Sequence, residues 1–124
     1  MVKAAHLGVL LWLAACSEPP APTVVCGELN QGCHGMGVSI RTDAAPSALS
    51  PFTLTVQAAG AREVVAEFVM VGMDMGLNRY RLQPTGAGRF SARVTLPVCV
   101  SGRRDWVLWV SVDGRRQGFA FQTR

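Results

Sequence analysis

The stretch WVLWVSVDGRRQGFAFQ, residues 106–122, decides the fold class. Trp106, Leu108, Val110 and Val112 occupy alternate positions, as do Phe119 and Phe121. Side chains two residues apart share one face of a strand, so each run presents an apolar face to a core and a mixed face to solvent. Between the runs, Asp113-Gly114 supplies a residue pair that tolerates the positive φ angles of a tight hairpin. The same alternation continues upstream in short runs separated by turn residues, with no helical period long enough to form a helix. It predicts strands over residues 38–42, 52–58, 62–71, 79–83, 89–96, 106–113 and 118–122. Phe52, Leu54 and Val56 form the expected inward face, with Ala66, Phe68 and Met70, then Tyr80 and Leu82, then Phe90, Ala92, Val94 and Leu96. Thr85-Gly86-Ala87-Gly88 suits a slightly longer hairpin, and Pro51 and Pro97 fall at strand edges, where a missing N–H is tolerated. Seven short strands over residues 37–124 predict one all-β domain, an immunoglobulin-like β-sandwich.

The N-terminal part has a different character. Residues 1–16, MVKAAHLGVLLWLAAC, carry Lys3, an apolar run from Leu7 to Leu13, and small residues before Cys16. The apolar run is shorter than the ~20 residues that span a bilayer as a helix, and it reads as an export signal. Leu13-Ala14-Ala15-Cys16 resembles the lipobox of bacterial lipoproteins, which implies cleavage after residue 15 and a lipid on Cys16. Ser17 through Pro22, with three prolines, reads as an extended tether. Three segments are therefore expected: a signal over residues 1–15, a lipidated tether and cysteine-bearing segment over 16–36, and the sandwich over 37–124. The expected setting is the bacterial envelope, facing the periplasm, with Ser17 pointing to the outer membrane rather than the inner.

Composition narrows the function classes. The hydrophobic share of 49% and charged share of 16% exclude a disordered polyampholyte. Removal of Lys3 leaves eleven arginines against eight carboxylates. Export disfavours a nucleic-acid partner for this excess. Arg79, Arg81, Arg89 and Arg93 take outward positions and would share one face if their strands form a hairpin. His6 leaves with the signal, so His34 is the one histidine downstream of it. Serine-nucleophile, HExxH, P-loop and dinucleotide motifs are absent, and the carboxylates are scattered, so no enzyme is expected.

Sulfur stands out. In VMVGMDMGLNRY, residues 69–80, strand period places Met70 in the core phase and Met73 with Met75 on the opposite face. Paired thioethers favour Cu(I) over hard ions. If successive strands alternate in direction, the Met73–Met75 loop and the loop carrying Cys99 emerge at the same end of the sandwich. Cys33-His34-Gly35-Met36 places a thiol, an imidazole and a thioether within four residues, a second set suited to copper. With Cys16 taken by lipid, three thiols remain in an oxidising compartment and cannot all pair within one chain. Cys26 can pair with Cys33, or either of them with Cys99.

From Phe68 to Phe121 the chain resembles the FixH-like and YtkA-like group of small envelope sandwich proteins. The resemblance rests on Met70, Met73-Asp74-Met75-Gly76, Gly88-Arg89-Phe90, Val94-Thr95-Leu96-Pro97, Gly102, Trp106-Val107-Leu108 and a terminal Phe119-Ala120-Phe121. It implies an immunoglobulin-like fold and a link to copper handling or cytochrome oxidase assembly. Related copper proteins place histidines near the methionine turn, whereas Leu77-Asn78-Arg79 follows it here. The expected function is a lipid-anchored Cu(I)-binding protein using Met73 and Met75, with Cys99 or the Cys33, His34 and Met36 segment. Its expected partners are the membrane, through Cys16, and an oxidase or copper-chaperone protein. The competing expectation is a metal-free interaction module that uses the methionine loop and the arginine face.

Overall fold

The computed structural model describes Gly8 and residues 22–73, 78–98 and 101–124 of the chain. Ten strands form two five-stranded sheets packed face to face, with no α-helix among the described residues. They are β1 (Thr23–Val25), β2 (Cys33–Gly35), β3 (Val38–Thr42), β4 (Phe52–Gln57), β5 (Val64–Met70), β6 (Arg79–Arg81), β7 (Gln83–Gly86), β8 (Arg89–Val94), β9 (Asp105–Val112) and β10 (Arg115–Gln122). The first sheet runs β1-β10-β9-β5-β6 and the second β2-β3-β4-β8-β7. The orders β3-β4-β8-β7 and β10-β9-β5 follow the two sheets of an immunoglobulin-like sandwich, with β6 added beside β5 and β1 and β2 added at the other edges. The expected all-β fold is therefore present.

Each sequence-predicted strand has its counterpart, and the inward set is the core. Phe52, Leu54, Val56, Val64, Phe68, Val94, Leu96, Leu108, Val110 and Phe119 are all 2% exposed or less. The β9–β10 hairpin closes through Asp113 and Gly114 at φ +48° and +86°, with Val112 opposite Arg115. Asp113 has a second role: its carboxylate accepts the backbone N–H groups of Arg62 (3.0 Å) and Glu63 (2.9 Å), tying the approach to β5 onto this turn.

Three features differ from the sequence reading. The run predicted over residues 79–83 is divided. β6 pairs with β5 in the first sheet, Leu82 donates its N–H to the Val64 carbonyl, and Gln83 then pairs with Ser91 in the second sheet. The chain thus crosses between sheets at Leu82, whose side chain is buried in the core. Second, Arg79 and Arg81 consequently stand on the first sheet while Arg89 and Arg93 stand on the second, so the four arginines do not share one face. The hairpin that does form, β7 with β8, brings Gln83 and Pro84 rather than the arginines opposite β8.

Third, the sandwich begins at Thr23 and not at residue 37. β1 adds in parallel to the edge of β10, and β2 adds antiparallel to β3 through a two-residue turn at Met36 (φ +49°) and Gly37 (φ +74°). A short 3-10 turn at Leu29–Gln31 joins these two edge strands, with Leu29 only 1% exposed. The N-terminal segment therefore closes the same side of both sheets.

The outer faces of the two sheets differ. On the first, the Trp109 ring covers Gly118, where an added Cβ would lie 2.8 Å from the ring, and the Arg116 guanidinium stacks on that ring at 4.4 Å. The second sheet carries a polar outer face, described below. Exposed ion pairs join Arg81 to Glu63 (3.4 Å), Arg93 to Asp43 (3.7 Å) and Arg124 to Glu28 (3.2 Å), each of modest energetic value in water.

Candidate functional site

The antiparallel pairing of β5 with β9 sets Met70 opposite Trp106 and Val64 opposite Val112, which defines two ends of the sandwich. At the Met70 end, β5 stops and the chain turns at Val71-Gly72. Met73 donates its N–H to the Met70 carbonyl at 3.3 Å, and Val71 donates to the Asp105 carbonyl at 3.0 Å. Gly72 holds φ +76°, and a side chain there would meet the Arg103 guanidinium at 2.7 Å. This turn changes the expected placement of Met73. Strand period ceases at Met70, so Met73 does not project from the face opposite Met70; it folds back, half-buried, against the core.

The loop before β9 meets this turn. Ser101 donates its hydroxyl to Met73 Sδ at 3.4 Å, Arg103 donates its backbone N–H to Ser101 Oγ at 3.5 Å, and Arg103 Nη1 donates to the Val71 carbonyl at 3.2 Å. The methionine loop and the loop that carries Cys99 thus touch at one end of the sandwich, as alternating strand direction requires. Met75 and Cys99 themselves fall within residues 74–77 and 99–100, outside the described residues, and so does Cys16.

The second donor set lies elsewhere. Cys33 is bonded to Cys26, with S–S 2.10 Å and Cα atoms 5.9 Å apart, so its sulfur is not a thiolate open to a metal. The bond selects one of the pairings open in the sequence and leaves Cys16 and Cys99 as the two cysteines outside it. It links the entry of β2 to the exit of β1, across the edge of the sandwich. His34 pairs opposite Ser39 and is exposed on the outer face of the second sheet. Met36, 65% exposed, sits in the β2–β3 turn. That turn belongs to the Val112 end, since Met36 and Gly37 line a shallow pocket with Val112 and Arg115. Met36 is therefore at the end opposite Met73, His34 is on the outer sheet face, and Cys33 is held by Cys26, which itself lines a groove with Val71 and Trp106 at the Met70 end. Among the described residues, no three of His, Cys, Asp and Glu come together as a metal site. At the Met70 end, the sulfur donor among the described residues is the Met73 thioether.

Beside the Met73 turn runs an apolar groove of about 460 Å³, lined by Val25, Val71, Trp106, Ala120 and Phe121 among others. Of its lining, Val25 (85%) and Val71 (44%) are more exposed than large aliphatic side chains usually are. Sequence patterning missed this groove, because its wall is the β1 edge, a strand of three residues with no alternation to mark it.

No family model, no curated protein and no solved structure matches the chain.

Proposed function

We propose that the protein is a lipid-anchored envelope protein that binds Cu(I) at the Met70 end of the sandwich, through Met73, Met75 and Cys99, for copper handling or delivery to an oxidase. The observation that carries this reading is the contact between Ser101 and Met73. It joins Met73 to a residue two positions from Cys99 in sequence, and on this reading Met75 and Cys99 complete the donor set. Sulfur donors of this kind select a soft monovalent ion and bind hard cations poorly. The half-buried position of Met73 suits such a site, because an apolar surround limits access of water to the metal. Binding and release, without turnover, is the activity.

A metal-free docking role at the same end is favoured by one specific observation, the exposed Val71 beside the apolar groove. The two readings separate in one experiment. Residues 17–124 contain all ten strands, the disulfide and every described core residue, so this form carries the whole fold. Titrated with Cu(I) against a competing chelator, it should bind one ion. Met73→Leu with Met75→Leu should weaken that binding by more than the roughly 10–100-fold that loss of an outer-shell partner costs. Unchanged affinity in the double variant contradicts the methionine site, and absence of tight binding by the unsubstituted protein favours the docking role.

A further inference from the structure

The outer face of the second sheet carries a row of polar side chains running across its strands. His34 on β2 stands opposite Ser39 on β3, Ser39 opposite Gln57 on β4, and Gln57 opposite Arg89 on β8. One step along the strands, Arg41 stands opposite Thr55, and Thr55 opposite Ser91. A further step brings Thr53 opposite Arg93. No aliphatic or aromatic side chain points outward from β3, β4 or β8 in this region, in contrast to the Trp109 face of the first sheet.

The charges on this face are unevenly matched. Arg93 is engaged, with Asp43 at 3.7 Å and the Thr53 hydroxyl at 3.2 Å. Arg41 and Arg89 have no carboxylate within ion-pair distance among the described residues. The Arg41 side chain lies over Gly32, 3.6 Å from where a Cβ would stand. Between these groups is an open depression of about 540 Å³, lined by His34, Ser39, Arg41, Thr55, Gln57 and Arg89 among others. Hydroxyl, amide and guanidinium donors around a shallow basin are the chemistry that receives phosphate oxygens, and the guanidinium fork matches a phosphate with two parallel hydrogen bonds.

Where the chain enters the fold identifies the source of the phosphate. The Pro22 carbonyl accepts hydrogen bonds from the Gly118 N–H (2.9 Å) and from Gln117 Nε2 (3.2 Å). Gln117 and Val24 in turn pack against Gly35, so close that a Cβ there would meet Val24 at 2.9 Å. His34 therefore begins the polar row one residue from the place where the tether joins the sandwich. The six steps from Cys16 to Pro22 reach at most about 20 Å, and the row from β2 to β8 extends about 14 Å at ordinary strand spacing.

We propose that the outer face of the second sheet, centred on His34, Arg41 and Arg89, rests against the phosphates of anionic phospholipid headgroups in the membrane that holds Cys16. This placement rests on the lipid-anchor reading for its geometry. It leaves the Met73 end and the whole first sheet uncovered, because a polar sheet face stays at headgroup level and does not enter hydrocarbon.

The test uses residues 17–124, which lack Cys16, so its outcome is independent of lipidation; mass spectrometry of the membrane-extracted protein tests the lipid on Cys16 separately. In co-sedimentation at low salt, the protein should associate with vesicles of phosphatidylglycerol in phosphatidylcholine and not with phosphatidylcholine alone. R41Q with R89Q should weaken association roughly 30-fold, the expectation for two arginines at an anionic surface. R79Q with R104Q removes the same charge from the first sheet and the Met70 end and should have a far smaller effect. Equal weakening by both pairs, or no association with anionic vesicles, overturns the proposal. Release by inorganic phosphate beyond that caused by chloride of equal ionic strength also overturns it, since the occupant would then be a free phosphate.

Discussion

Phe68→Ala is expected to lower the free energy of unfolding by about 4 kcal/mol, read as a shift of the urea midpoint at unchanged slope. Phe68 is 2% exposed on β5 and meets three other rings edge to face. Phe52 of the opposite sheet lies at 6.1 Å between centroids, Tyr80 of β6 at 6.1 Å and Phe121 of β10 at 6.2 Å. Edge-to-face pairs of this kind add roughly 0.5–1.5 kcal/mol each beyond area burial, and truncation leaves a cavity that rigid sheets on both sides cannot close. The Tyr80 ring is itself fixed from its far end, where its hydroxyl donates to the Thr95 carbonyl at 3.1 Å. Phe68→Leu, which keeps most of the volume, should cost less than about 1.5 kcal/mol. A loss below that figure for the alanine variant would show that the three-ring contact does not organise the core.

Cys26→Ala with Cys33→Ala is expected to cost about 2.5 kcal/mol, the loop-closure value for a bond between residues seven apart. The effect should be local as well as global. β1 and β2 have three residues each and stand at the edges of different sheets, so few backbone hydrogen bonds hold them. Without the bond, amide hydrogens in residues 23–35 should exchange with solvent well before those of β4, β5 and β9. Global stability within about 1 kcal/mol of the unsubstituted protein, with residues 23–35 still protected, would show that pairing to β10 and β3 suffices without the staple.

How much of this was legible in the sequence depends on the length and regularity of each run. β3 was readable to the residue, and the inward positions of β4, β5, β8, β9 and β10 follow from period-two alternation, because a buried face on both sheets leaves that pattern no freedom to slip. β1 and β2 are too short to alternate. Their place is set by the pairing of β1 with the distant β10, by the Met36-Gly37 turn that joins β2 to β3, and by the Cys26–Cys33 bond, none of which an alternating apolar pattern marks. The crossing at Leu82 was hidden for the opposite reason: Tyr80 and Leu82 keep the same inward phase through the switch, so the pattern looks like one strand while the hydrogen bonds change sheets.

The candidate site was legible to a similar degree. Alternation of strand direction was enough to bring the methionine loop beside the Cys99 loop, and Ser101 meets Met73 there. The phase of Met73 was not readable, since it depends on Gly72 taking a left-handed turn. Cysteine parity left Cys33 available as a ligand on paper, and only the sheet-edge geometry consigns it to Cys26. The outward alternation of Ser39 and Arg41 was visible, but their alignment with His34, Gln57 and Arg89 required the register of four strands.

The central claim is a sulfur-only Cu(I) site at the Met70 end, apart from His34 and Met36 at the other set of positions. X-ray absorption at the copper edge of the Cu(I)-loaded form of residues 17–124 tests it most directly. Sulfur scatterers alone, with the spectrum unaltered by His34→Ala and lost with Cys99→Ser plus Met73→Leu, is the result expected. An imidazole scattering signature that disappears in His34→Ala would contradict the account, by placing the ion on the face of the second sheet.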